Sequence, residues 1–183
     1  MGERTLLSAS DRSQFAAWIR SAVERFEGRL LRYAARLTGD AEAGRDVVQD
    51  TFLRLCRQQP DELDGHLAEW LFTVCRHRAI DLSRKEQRMH VLTAHQADRA
   101  ADLHADPQAS PAEVAEQHES TDRIGQLVAG LTANQQEVLR LKFQEGLSYR
   151  EISAITELSV SNVDYLIHTA IAKLREQMGA SGE

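Results

Sequence analysis

Strand formers, aromatics and helix breakers are all scarce in this chain. Aromatic residues make up 5% of its 183 positions, and there are 3 prolines. No stretch alternates apolar and polar residues over a useful strand length. Leu, Ala, Arg, Glu and Gln are frequent instead, which favours helix throughout. The 2 cysteines, Cys56 and Cys75, form no CxxC pair. They read as small apolar core residues of a reducing compartment. A zinc site drawn from Cys56, His66, Cys75 and His77 matches no common ligand spacing. No apolar run approaches the roughly 20 residues of a membrane span. Met1–Ser13 lacks the apolar core of a signal peptide. The expectation is a cytoplasmic protein with no membrane insertion.

A net charge of −6 argues at first against a nucleic-acid partner. Its distribution says otherwise. Residues 12–90 carry 14 Lys and Arg against 12 Asp and Glu, a net of +2. Residues 91–122 carry 1 against 7. The acidity sits in one middle segment, and the front of the chain is mildly basic. There is no glycine-rich phosphate loop, nucleophile–base set or paired catalytic carboxylate at a recognisable spacing. The expectation is therefore a non-enzyme with no metal.

Residues 1–12 read as a disordered polar tail. From Ser13 the pattern is helical: Phe15, Trp18, Ile19, Ala22, Val23 and Phe26 recur at steps of 3 and 4, up to Thr38-Gly39. Asp40 caps a second helix, with Ala43, Val47, Val48, Thr51, Phe52 and Leu55 on its apolar side. Residues 58–66 form a loop. A third helix, from Leu67 to Arg88, buries Leu71, Val74, Cys75, Ala79 and Leu82. Another of its faces gathers Trp70, Thr73, His77, Asp81, Arg84 and Arg88 within roughly 80°. A ring for base stacking beside cations for phosphates is what single-stranded nucleic acid needs. A core tryptophan beside a solvated basic end would carry the same pattern.

Residues 91–111 are polar, with Pro107, and read as a flexible acidic linker. Ser110-Pro111-Ala112-Glu113 opens a helix running to Gly130. Asn134–Phe143 forms the next. Ser148, with Glu151 three residues on, is a capping box that starts a short helix. After a turn near Thr156–Leu158, Ser159 caps the last one, which runs to Met178. Val163, Leu166, Ile167, Ala170 and Leu174 form its apolar stripe, with Ser161, Asn162, Tyr165, His168, Thr169 and Arg175 opposite. Two helices and a tight turn, with polar groups outward on the second, make a helix-turn-helix candidate. A plain helical hairpin is the other reading of these residues.

Three blocks carry a family resemblance. Asp46-Val47-Val48-Gln49-Asp50-Thr51-Phe52-Leu53-Arg54-Leu55 resembles region 2.2 of bacterial sigma factors of the extracytoplasmic-function (ECF) group. Trp70 to Arg84 resembles their regions 2.3 and 2.4. Leu131-Thr132, Gln135 to Leu139, the Gly146–Ile152 block, Leu158-Ser159, Val163, His168 and Lys173-Leu174-Arg175 resemble region 4. The region 4 block is also similar to LuxR-type regulators, which lack the first block.

The resemblance implies an all-α protein of two small helical domains: region 2, a three- or four-helix bundle at 13–90, and the region 4 helix-turn-helix at 112–178. It implies a promoter-specificity subunit of RNA polymerase that has no cofactor and catalyses nothing itself. Asp46, Gln49, Asp50 and Arg54 would dock on the β′ clamp helices, and region 4 would meet the β flap. Trp70, Arg76, His77 and Arg84 would open and read the −10 element. Ser161, Asn162, Tyr165, His168 and Thr169, with Tyr149 and Arg150, would contact the −35 element. An anti-sigma factor is an implied partner. The alternatives are a LuxR-type regulator and a sigma-like protein-interaction module without specific DNA binding. Three departures stand out. His77 occupies a position where the family usually has Asn. Glu157 replaces the usual turn glycine. Asp164, Leu166, Thr169 and Ile171 occupy positions that are usually basic. The expectation is weak −35 affinity.

Overall fold

The computed structural model describes residues 9–92 and 127–180, with side chains described for residues 10–85 and 127–179. The chain divides into two compact units, Met1–Leu103 and His104–Glu183. Among the described residues there are helices and turns but no strand. The fold is all-α.

The first unit is built from α1 (Ala9–Thr38), α2 (Ala41–Leu55), a 3-10 turn (Pro60–Leu63) and α3 (Leu67–Leu92). Helix α1 starts at Ala9, inside the segment expected to be a disordered tail. Asp11 lies in its first turn, where a carboxylate complements the exposed N–H groups. Its end is local chemistry. Thr38 Oγ1 donates to Ala34 O at 3.0 Å, and Gly39 leaves the helix at φ +73°. Asp40 Oδ1 then accepts from Ala43 N at 2.8 Å and caps α2.

The core of this unit joins Phe26, Leu30, Tyr33 and Ala34 of α1 to Val47, Val48 and Leu55 of α2 and to Leu71, Phe72, Cys75 and Ala79 of α3. Each large side chain so buried contributes roughly 1.5–3 kcal/mol. Tyr33 meets Phe72 edge-on, with ring centroids 5.2 Å apart. Phe15, Trp18 and Ile19 are half-buried rather than core.

In the second unit, Leu127–Ala129 are helical. The rest of the expected 112–130 helix, and nearly all of the 91–111 linker, lie outside the described residues. Then come α4 (Ala133–Phe143), α5 (Tyr149–Thr156) and α6 (Val160–Ala180). Two capping boxes set the first two. Thr132 Oγ1 accepts from Gln135 N at 3.3 Å while Gln135 Oε1 accepts from Thr132 N at 3.1 Å. Ser148 and Glu151 repeat the arrangement at 3.3 and 2.7 Å. Ser159 Oγ accepts from Asn162 N at 3.2 Å and caps α6.

Between α5 and α6, Glu157 adopts φ 61° and ψ 18°, the left-handed conformation usually left to glycine. Ser153 Oγ donates to Leu158 O at 2.6 Å and pins the turn. Val138, Leu141, Ile152, Ile155, Val163, Ile167 and Ala170 close the core beneath it. Leu166, Ile171 and Leu174 are half-buried and border that core.

Candidate nucleic-acid and polymerase interfaces

Asp46 and Gln49 are exposed on α2, as their spacing requires. Asp50 is tied down. Its Oδ2 accepts from Arg54 Nε at 3.0 Å on its own helix and sits 3.2 Å from Arg78 Nε on α3. These charges border a groove of about 480 Å³ lined by Asp50, Leu53, Arg54, Arg57, Gln58, Trp70 and Val74. Leu53 is 56% exposed there, an unusual position for a leucine. Leu53 and Arg57 were not among the expected contacts. Their signal was present: 46, 49/50, 53 and 57 form one 3–4 row.

Trp70 is half-buried and opens into this groove, so it joins the α2 residues rather than standing only with the basic end of α3. His77 and Arg84 are exposed, and Arg76 is half-buried. Arg76 projects roughly 120° around the helix from Trp70. The four expected −10 residues therefore spread over more than one side of α3. Before them, Gly65 turns the chain at φ +76°, and Asp64 O lies 3.0 Å from His66 Nδ1.

On α6, Ser161, Asn162, Tyr165 and His168 are exposed, and Val163, Ile167 and Ala170 are buried behind them. Tyr165 shows 64% of its surface. Thr169 is half-buried. Its Oγ1 donates to Tyr165 O at 2.8 Å and accepts from Gln135 Nε2 at 3.2 Å, which locks α6 to α4. His168 Nε2 lies 3.3 Å from Asp164 Oδ1, one turn away. At the start of α5, Arg150 is exposed, while Tyr149 is half-buried with Lys142 Nζ 5.1 Å from its ring centroid. The arrangement is a helix-turn-helix with a hydrogen-bonding outer face.

Family models match in both units. The model described as Sigma-70 region 2 matches residues 22–89, and that described as Sigma-70, region 4 matches residues 121–174. The ECF RNA polymerase sigma factor SigL of Mycobacterium tuberculosis is 32% identical over 166 residues, covering 87% of this chain and 88% of SigL. The chain belongs to the extracytoplasmic-function group of sigma-70 factors. The ECF sigma factor RpoE of Cereibacter sphaeroides is also similar, 25% identical over 177 residues, covering 96% of this chain and 92% of that one.

Among solved structures, the sigma factor RpoE from Bartonella quintana, in complex with the anti-sigma factor NepR, shares the fold at TM-score 0.67. It has 21% identity and covers 87% of this chain and 96% of its own. CnrH, in complex with the cytosolic domain of CnrY, matches at TM-score 0.57 and 27% identity, with 92% and 94% covered.

This sigma factor acts in promoter-specific transcription initiation. The region 2 match removes the LuxR-type alternative, because that group lacks the block. Among the described residues, no helix is long and apolar enough to cross a membrane.

Proposed function

We propose that three surfaces of this sigma factor divide the work of recruiting core polymerase to a promoter. The α2 row Asp46, Gln49, Leu53 and Arg57, with Asp50 and Arg54 at the groove edge, docks on the β′ clamp helices. An exposed leucine and a half-exposed tryptophan inside a polar rim suit a protein partner. On α3, His77, Arg84 and Arg76 take the non-template strand of the −10 element, with Trp70 at the boundary of the two surfaces. Unstacking a base costs a few kcal/mol, which basic and stacking contacts offset. The His77 imidazole can donate and accept, so its base preference differs from that of an amide.

Helix α6 enters the major groove at the −35 element. Ser161, Asn162, Tyr165 and His168 face the base edges, and Asn162 suits the N6/N7 edge of adenine. Tyr149 and Arg150 hold flanking phosphates. Thr169 takes a smaller share because it is committed to Gln135. The same unit meets the β flap. The chain supplies recognition and needs no cofactor, and the chemistry belongs to the core enzyme in the cytoplasm. Because the sigma factor RpoE from Bartonella quintana was solved with the anti-sigma factor NepR, a comparable anti-sigma partner is proposed here.

The observation that carries this reading is the row Ser161, Asn162, Tyr165 and His168, all exposed on the helix that follows a capped turn. Run-off transcription with purified core polymerase on genomic promoter fragments tests it. Transcripts that need this protein, and that fade with Asn162→Ala, are expected. Stable core binding without any specific transcript would instead favour the interaction-module reading.

A further inference from the structure

Helix α6 carries an acid on the side where DNA would bring phosphates. Asp164 is its fifth residue, and no Lys or Arg precedes Lys173 on the helix. An acid gains from the partial positive charge of a helix N-terminus only within the first turn, and Asp164 lies past it. Among the described residues no Lys or Arg pairs with it, and its ion-pair partner is His168. Oδ1 lies 3.3 Å from His168 Nε2, with the Asp164 side chain 51% exposed and that of His168 73% exposed. A pair so exposed contributes little to stability. Among the described residues, neither helix formation nor packing accounts for the carboxylate.

Its place on the helix gives it another use. Asp164 lies roughly 40° from His168 and roughly 60° from Ser161 around the axis, at the edge of the exposed row of α6. It sits in the second turn, and the N-terminal part of a recognition helix is what reaches base edges. Oδ1 is the atom beside His168, and Oδ2 has no partner among the described residues. The imidazole restrains the carboxylate and leaves one acceptor atom open.

A carboxylate can only accept hydrogen bonds. Phosphates offer it no donor and repel it. In the major groove the donors are the N4 amine of cytosine and the N6 amine of adenine, while guanine and thymine present acceptors at O6, N7 and O4. Adenine sets its N7 acceptor beside the amine, where it would face the second carboxylate oxygen. Cytosine has only a C5–H at that place. The chemistry selects cytosine.

We propose that Asp164 is a specificity-determining residue of α6, whose Oδ2 accepts from the N4 amine of one cytosine in the −35 element, with His168 as its positioning neighbour. This deepens the reading of α6 given above and rests on it for the identity of the DNA. The acid weakens attraction to every phosphate and in return rejects guanine and thymine at one base. Loss of general affinity is thereby coupled to gain of choice.

A paired cytosine spends one amine proton on guanine and turns the other into the major groove. N4-methylcytosine fills that outer position with a methyl group and keeps the base pair. The test titrates the full chain, by anisotropy, against the −35 duplex of a promoter found in the run-off assay. It repeats the titration with each cytosine of both strands replaced in turn by N4-methylcytosine. One replacement is expected to weaken wild-type binding about tenfold, the value of one good base contact. In Asp164→Ala the same replacement should change nothing. The preference for cytosine at that position should vanish there, while discrimination at the other positions and helix content stay unchanged.

Wild-type protein that tolerates every replacement overturns the proposal. So does a replacement whose effect persists in Asp164→Ala and disappears in His168→Ala, which would make the imidazole the reader. Wild-type protein that binds the −35 duplex no better than a scrambled one sinks the −35 reading of α6, and this proposal with it. Intact discrimination without any methyl effect sinks the proposal alone.

Discussion

A Cβ placed on Gly44 would lie 2.9 Å from the backbone nitrogen of Ala35 and 3.2 Å from its Cβ. Helices α1 and α2 therefore cross at a point where only hydrogen fits. Gly44→Ala must push two backbones apart, a strain of about 1–3 kcal/mol that the better helix propensity of alanine offsets by only about 1. Urea unfolding should show a net loss of up to about 2 kcal/mol in the first unit. A gain in stability would mean that the crossing relaxes freely.

Glu157 makes the opposite case. Its φ of 61° costs a side-chain-bearing residue roughly 1–2 kcal/mol. Its side chain is exposed, where ion pairing adds little. Glu157→Gly should stabilise the second unit by about 1 kcal/mol, after the extra freedom of glycine in the unfolded chain is counted. For a unit of this size that is a Tm increase of about 4–8 °C. Calorimetry checks it, and a fall in Tm would show that Glu157 holds more than its own backbone.

The two cysteines should react very differently. Burial pushes the Cys75 thiol from 9.0 up to about 12, partly opposed by its hydrogen bond with Thr51. Cys56 is exposed at the end of α2. In native protein near pH 8, a thiol reagent should modify Cys56 rapidly and Cys75 only on unfolding. Because the folded state holds the Cys75 proton more tightly, its stabilising contribution is complete below pH 9. It is lost as pH rises from about 9 towards 12. Fast modification of two thiols in native protein would contradict this.

How far all of this was legible in the sequence follows the range of each interaction. Asp40, Ser148 and Ser159 announced their helices because capping is decided within three residues. The Thr132–Gln135 box obeys the same rule, although it is not among the expected caps. The apolar stripes of α2 and α6 were legible as periodicity. The Asp50–Arg78 bridge and the Gln135–Thr169 lock were not, because each joins residues on different helices. These contacts change the site: Asp50 and Thr169 are partly consumed inside the fold, while Leu53 and Arg57 line the groove beside Asp50. Trp70 could be placed on a helix face but not between core and surface, and it lies between.

The bridge yields a paired prediction. Arg78→Ala and Asp50→Ala both remove the α2–α3 contact, whose groups are partly exposed. Each should cost no more than about 1 kcal/mol in stability. Only Asp50→Ala also removes a proposed docking group, so only it should weaken core polymerase binding, by about tenfold or 1.4 kcal/mol. Equal losses of binding would show that Asp50 acts by holding the helices together.

Asp164 is the harder case, because it looks at first like a defect. It lies on the proposed recognition helix, half exposed, where a carboxylate repels phosphates. Yet its Oδ1 lies 3.3 Å from His168 Nε2, so it also holds the imidazole proposed to face the bases. The two roles separate in Asp164→Lys. Charge reversal should raise affinity for any duplex about fivefold and steepen the salt slope by about 1, the value of one added phosphate contact. Losing the carboxylate frees His168, so discrimination between the −35 sequence and a scrambled duplex should fall even as affinity rises. Asp164→Asn should give a smaller rise in affinity and keep part of the discrimination, since an amide oxygen still accepts from the ring. These are read by anisotropy titrations of the two duplexes at several KCl concentrations. A variant that gains affinity with undiminished discrimination would leave Asp164 with only its repulsive role. One that gains nothing would mean that this turn of α6 does not lie against the DNA.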